Sequence, residues 1–280
     1  MNAYGAVERI YVRPPHAEAL TAWQAYGWHA EPDVAATAAE HAAFVEILRA
    51  QVPDVVVGIA PVPGDPDAVY AYDPTLVTDA GVIPLLPGKK GRRDEPPVVA
   101  QELAEAGLAI LPALEAPATA EGGDMFFLDA RTLLVGLGYR TNPAAVEQLR
   151  PRLAQQDVEI VTFDLPHYHG PTECMHLMSF ISMLDADLAV VWLPMMPVRL
   201  VQLLVERGIT MVEVPGEEFG TMGPNVLSLG PRRAVALDGN PSTRAAMEAA
   251  GVEVTTYRGA HISLNGDGGP TCLTRPLVRA

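Results

Sequence analysis

Four side chains with the chemistry of a nucleophile, a proton carrier and paired acids stand far apart in the chain: Cys272, His176, Glu121 and Asp73. Cys272 ends the run GDGGPTC, a glycine-rich approach that would present a thiol at the start of a strand, where its thiolate could attack an electrophile. A solitary cysteine is more often buried packing, but packing does not require such a loop. Cys174, which lacks that setting, is read as packing. Glu121 opens EGGD, whose glycines either bring backbone close to a ligand or form a structural turn. His176 lies in HYHGPTECMHLMS, where His167, His169 and Glu173 invite a metal reading. Helical H-x-x-x-H spacing is absent and a glycine and a proline break the run, so metal is the weaker reading; a buried core histidine is the other alternative.

The elements that must position these residues repeat. A strand, a tight turn, a second strand, a helix entered through proline and a third strand recur along the chain. The second strands read VIPLLP from Val82, LLVGLG from Leu133, LAVVWLP from Leu188 and RAVALDG from Arg233. Pro96, Pro143, Pro197 and Pro241 fall at helix starts, where a missing N–H costs nothing, and Asn142 and Asn240 are expected N-caps. Gly107, Gly208 and Gly251 are expected stops. LAILPAL, VEIVTFDL, ITMVEV and VEVTTY follow as third strands. CLTRPLV at the C-terminus, with RIYVRPP, a helix from about Asp33 to Gln51 and DVVVGIA at the N-terminus, completes a fifth unit. Five ββαβ-like modules imply an α/β fold, and arranging them cyclically leaves no open end. Residues 1–280 are therefore expected to form a single domain with pseudo-fivefold symmetry. Asp73, Glu121, His176 and Cys272 each precede the first strand of a module, with Asn225 near the fifth equivalent place, so a cyclic arrangement turns them toward one axis.

Composition narrows the function. The chain is 49% hydrophobic with few aromatics, as suits α/β layers packed by branched aliphatics. A net charge of −15 argues against nucleic acid, whose phosphates need clustered cations, and favours cationic ligands. The single basic run, Lys89, Lys90, Arg92 and Arg93, is either a solvated loop or a seat for a substrate carboxylate. With no basic-then-apolar leader and no long apolar stretch, a cytoplasmic protein away from membranes is expected.

Taken together, YDPTLVTDAGVIPLLPGKKGRRDEP, EGGDMFFLDARTLLVGLGYRTN, HLMS and GGPTCLTRPL resemble the guanidino-group-modifying enzymes, and look most like the dimethylarginine dimethylaminohydrolase branch, from about Asp67 to the C-terminus. The resemblance implies a pentein fold, a five-bladed α/β propeller. It puts the nucleophile on Cys272, the catalytic histidine on His176 and its orienting carboxylate on Glu121. It implies that Asp73 grips the guanidinium, that Asp67 helps hold the substrate's amino end and that Arg92 and Arg140 hold its carboxylate. Where arginine deiminases read HLD, with a second acid on the guanidinium, this chain has Met178. The implied activity is hydrolysis of arginine or an N-methylated arginine through a covalent cysteine thiouronium, giving citrulline and an amine, without metal or organic cofactor. Its partner is a small guanidino substrate, and a homodimer is compatible with the family. Amidinotransfer, deimination of another guanidine, or a non-catalytic pentein that only binds are the competing readings.

Overall fold

The computed structural model describes residues 1–173 and 175–280; Cys174, read above as packing, lies outside them. The chain opens with β1 (Val7–Val12), two single helical turns, α1 (Ala17–Leu20) and α2 (Trp23–Tyr26), then α3 (Val34–Arg49) and β2 (Asp54–Val57). There follow β3 (Thr75–Thr78), β4 (Gly81–Pro84) and α4 (Glu95–Glu105), then β5 (Met125–Asp129), β6 (Thr132–Leu137), α5 (Pro143–Ala154) and β7 (Glu159–Asp164). Next come β8 (Ile181–Asp185), β9 (Leu188–Val191), α6 (Val198–Glu206), β10 (Thr210–Glu213) and the short α7 (Gly216–Phe219). The last elements are β11 (Val226–Gly230), β12 (Arg233–Leu237), α8 (Pro241–Ala249), β13 (Glu253–Tyr257) and β14 (Thr274–Arg279).

These strands form five small open sheets: β14-β1-β2, β3-β4, β5-β6-β7, β8-β9-β10 and β11-β12-β13. In each complete sheet the first pair is antiparallel and the second parallel, as in Phe126 opposite Leu134 and Leu134 opposite Val161. The parallel step needs a crossover, which the intervening helix supplies. The central strand β9 is buried along its length, so LAVV reads as a continuous apolar run.

Helix boundaries follow local chemistry. Asp33 accepts from the amide of Ala36 to start α3, whose buried face of Thr37, His41, Phe44, Val45 and Leu48 has helical spacing. Asn142 caps α5 through Ala145. Asn240 does not cap α8; its amide is drawn into Thr221 and the Leu237 carbonyl, and Glu218 accepts from Ser242 at 2.8 Å and Thr243 at 2.7 Å instead. Gly107, Gly208 and Gly251 stop their helices at φ of +88°, +67° and +84°, as expected.

One expected strand is missing. LAILPAL makes a single bridge to β4, Val82 with Ile110, and farther on the Leu114 amide reaches the Pro84 carbonyl at 3.0 Å. Pro84 has no N–H to donate in return, so the ladder is interrupted there.

Five hydrophobic clusters join the sheets pairwise. Tyr11 and Leu277 pack with Val77 and Val82; Ile83 with Phe127; Phe126 with Ile181; Leu184 with Val226; and Leu227 with Ile10. Among the described residues no helix is long and apolar enough to cross a membrane.

Candidate active site

Asp73, Glu121, His176, Asn225 and Cys272 each stand just upstream of the first strand of a different sheet. Asp73, His176, Asn225 and Cys272 line one cavity of about 150 Å³, and Glu121 lies fully buried against His176. The convergence expected from the repeat is thus present in the geometry.

His176 Nε2 lies 2.7 Å from Glu121 Oε2. Glu121 also accepts from the Lys89 amide at 2.9 Å and from Arg140 Nη1 at 3.3 and 3.2 Å. Burial alone would raise the Glu121 pKa, but the hydrogen bond and charge of His176, then Arg140 and Arg92, hold it well below the ordinary carboxylate range. An ionised Glu121 only accepts, so the proton belongs on Nε2 and Nδ1 is left facing Asp73, whose Oδ1 is 3.9 Å away. The histidine comes this close to the backbone because residue 123 is glycine: a Cβ there would sit 2.4 Å from His176 Nδ1 and 3.0 Å from Asp73 Oδ1. This is the purpose of EGGD. Its final acid, Asp124, is also buried and accepts from the Leu177 amide at 3.1 Å, anchoring the turn that carries His176; burial pushes its pKa up to about 7.

The half-buried thiol of Cys272 receives a hydrogen bond from Asn225 Nδ2 at 3.3 Å, while Asn225 Oδ1 accepts from the Thr271 amide at 3.1 Å. Asn225 therefore clamps the cysteine loop at both ends of its amide. Gly269 permits the approach, since a Cβ there would fall 2.5 Å from the Asn225 side chain. Sequence reasoning marked Asn225 as the unreactive fifth position and gave it no role; its place in the repeat was the signal.

Asp73 is held rather than mobile. Oδ1 accepts from Gly123 N at 2.8 Å and Oδ2 from Arg92 Nη1 at 2.5 Å. Arg92 lines the cavity too. Its guanidinium reaches Glu95 through Nε and Nη2, Asp73 through Nη1 and the Tyr70 carbonyl, and so braces Asp73. Burial would lower the Arg92 pKa, but Glu95 and Asp73 raise it well above its usual value. Around this cation burial raises the pKa of Glu95, and pushes Asp65 up to about 6.

Asp67 lines the cavity and accepts from Trp28 Nε1 at 2.9 Å and Lys89 Nζ at 2.5 Å. Arg140 lines it too, with its guanidinium against Glu121. Lys89 had been seen only as part of a basic run. In the structure it ties Asp67 to the Tyr26 carbonyl at 2.7 Å and lies 4.9 Å over the Tyr26 ring. Tyr26, Gly27 and His29 line the cavity, placing the aromatic segment AWQAYGWH at the site, fastened by Tyr26 Oη to Gly91 O and by His29 to Asp267.

His167 pairs with Tyr139 at 2.6 Å and takes no part in a cluster with His176. The group whose ligand atoms lie within 4.8 Å of one another among the described residues is Asp73, Glu121 and His176. Each of its carboxylate oxygens already accepts from a donor, with Arg92 and Arg140 supplying the balancing charge. That donor set suits a cation-lined proton relay better than a cation ligand set.

Comparison with known proteins fits this geometry. The family model for arginine deiminase matches residues 112–207 and 196–279. The arginine deiminase of Mycobacterium marinum is 30% identical over 192 residues, which cover 58% of this chain and 47% of that protein. The chain spans about half the length of the curated relatives it matches. Two solved structures share its fold: DDAH from Pseudomonas aeruginosa in complex with citrulline, at 22% identity and a TM-score of 0.80 over 96% of this chain and 98% of that one, and the N-terminal domain of ArgZ, a cyanobacterial arginine dihydrolase bound to product, at 18% identity and a TM-score of 0.83 over 98% of each.

Proposed function

Since the chain belongs to the arginine deiminase family, within the guanidino-group-modifying superfamily, we propose that it hydrolyses the guanidino group of arginine or an N-methylated arginine, using Cys272 as nucleophile. The observation that carries the proposal is the meeting of Cys272, the Glu121–His176 pair and the clamped Asp73 carboxylate on one cavity.

A guanidinium delocalises its charge and is a poor electrophile, so attack needs a strong nucleophile and departure needs a protonated amine. In this reading Asp73 receives the planar cation, and the Cys272 thiolate forms a C–S bond to its central carbon. His176 donates a proton from Nδ1 to the departing nitrogen as its C–N bond breaks, and Glu121 stabilises the imidazolium. The neutral imidazole then takes a proton from water adding to the S-alkylthiouronium. The C–S bond breaks, citrulline leaves and the thiolate is restored. Every step is carried by side chains already at the cavity, with no metal or organic cofactor invoked. Asp67 is assigned to the substrate's ammonium and Arg140 to its carboxylate. Arg92 acts through Asp73.

Met178 also lines the cavity, at the place where the family's HLD motif would put an acid. A thioether gives adaptable apolar contact to N-methyl groups and no acceptor for N–H groups, which favours an N-methylated substrate over plain arginine. The five sheets, packed in sequence with the last against the first, support a five-bladed propeller and one pentein domain over residues 1–280. A purely binding pentein would have no use for a thiol and an acid-backed imidazole at equivalent positions.

The experiment is a mass-spectrometric product screen in ¹⁸O-water over arginine, its methylated forms, agmatine and guanidino acids. One ¹⁸O in citrulline with release of ammonia or a methylamine is expected. An amidine found on an added amine acceptor, without ¹⁸O uptake, would replace hydrolysis by amidinotransfer.

A further inference from the structure

Behind the catalytic cavity lies a second, smaller one of about 40 Å³, separated from it by Tyr72, Met178 and Thr271, which line both. Arg275 and Arg279 of β14 also line it, four residues apart on one face of the strand. Arg275 is only 4% exposed and its Nε has no hydrogen-bond partner. Its guanidinium rests 4.3 Å over the Tyr72 ring, and Nη1 reaches the Tyr72 carbonyl at 3.5 Å, the outer limit of such a contact. Arg279 donates to the carbonyls of Gly5 at 2.7 Å and Ser228 at 3.0 Å, which are dipoles and bring no counter-charge.

Among the described residues neither arginine makes an ion pair with a carboxylate. The acid whose charge reaches Arg275, Asp73, is already bound by Arg92 and Gly123. Burial lowers the pKa of both arginines, and the charge of Arg275 helps pull Arg279 down to about 10. Arginine nevertheless stays protonated at neutral pH, so these charges cannot be relieved by losing a proton. For Arg275, which is buried and meets the Tyr72 ring and carbonyl but no carboxylate, such a charge is strongly unfavourable; Arg279 is partly exposed.

We propose that this cavity is an anion site, taking a small monovalent halide such as chloride against the guanidinium of Arg275, in the field of Arg279. The size fits: a water needs roughly 10–15 Å³ of this kind of volume, so the cavity has room for one halide with water and little more. The remaining lining is largely apolar, with Leu76, Met125 and Phe127, which suits a weakly hydrated single charge and disfavours a multiply charged oxyanion. The site is independent of the reaction proposed above, although it lies directly beneath Tyr72 and Thr271, the neighbours of Asp73 and Cys272.

The test uses crystals of the native protein soaked in bromide, with anomalous diffraction. It is paired with thermal unfolding in sodium chloride against sodium gluconate at equal ionic strength. A bromide peak in this cavity beside the Arg275 guanidinium, and a Tm several degrees higher in chloride than in gluconate, are expected. Arg275→Gln should remove the chloride increment. Because that variant could lose its fold, the native bromide map decides: a cavity holding only water, or bromide confined to Arg140 in the catalytic cavity, overturns the proposal.

Discussion

Replacing Glu121 by Gln perturbs the site at its most buried charge while keeping its shape. Glu121 receives four contacts from three donors: the Lys89 amide, His176 Nε2 and two from Arg140 Nη1. A glutamine has one oxygen, and its NH₂ must then face a donor in either orientation. Removing one charge of a buried pair costs about 3–5 kcal/mol, and Arg140 loses the charge of Glu121. The sign with pH follows from the depressed pKa. A carboxylate held below its ordinary value stabilises the fold at every pH above the unfolded value of about 4.3 and loses that contribution as pH falls further. The difference in unfolding free energy between native and Glu121→Gln, read by urea titration, should be constant from pH 6 to 8 and shrink below pH ~4. Without the acid behind it His176 also loses its tautomer control and the support for its imidazolium, so kcat should fall by about 10²–10⁴-fold. A variant within about 1 kcal/mol of native stability and within threefold in kcat would refute the reasoning.

Other outcomes follow from the same contacts. Arg92→Met should cost about 3–5 kcal/mol in unfolding free energy, because it strands Glu95 and Asp73; a normal Tm, with only KM raised for carboxylate-bearing substrates, would return Arg92 to the substrate. Asp124→Asn should flatten the part of the stability profile between about pH 4 and 7. With its pKa raised to about 7, Asp124 favours the fold when protonated and loses that contribution as pH rises through 7, so identical slopes in the two proteins would count against it. Met178→Asp should shift kcat/KM from asymmetric dimethylarginine toward arginine, and a native enzyme already preferring plain arginine would remove the role given to the thioether. Asn142→Ala should lower stability by about 1 kcal/mol through loss of the α5 cap, checked by urea unfolding.

The site was more legible in the sequence than its supports. Asp73, Glu121, His176 and Cys272 could be grouped before any coordinates because the module repeats, and equivalent positions in a repeat share surroundings. Cys272 was separable from Cys174 only through the glycine loop preceding it, and the reasons for those glycines are distant contacts: Gly266 and Gly268 abut Tyr70, and Gly269 approaches Asn225 across 44 residues of chain. The resemblance gives Arg92 to a substrate carboxylate, but that its guanidinium also meets two carboxylates of the chain itself, Glu95 one turn away and Asp73, follows only from the burial of all three. The same competition explains α8. Asn240 has the right residue type for a cap, but Glu218 from α7 brings a full charge to the same amides. The lost strand at LAILPAL turns on Pro84 in the partner strand, a cause outside the segment itself.

The central claim is covalent catalysis at Cys272, and the direct measurement is peptide mass spectrometry of acid-quenched His176→Gly incubated with arginine and with asymmetric dimethylarginine. Without the base for thiouronium hydrolysis, the peptide carrying Cys272 should gain the mass of the substrate less its departing amine. An unmodified Cys272 peptide in a variant shown separately to bind these guanidines, or an adduct on Cys174 alone, would contradict the account.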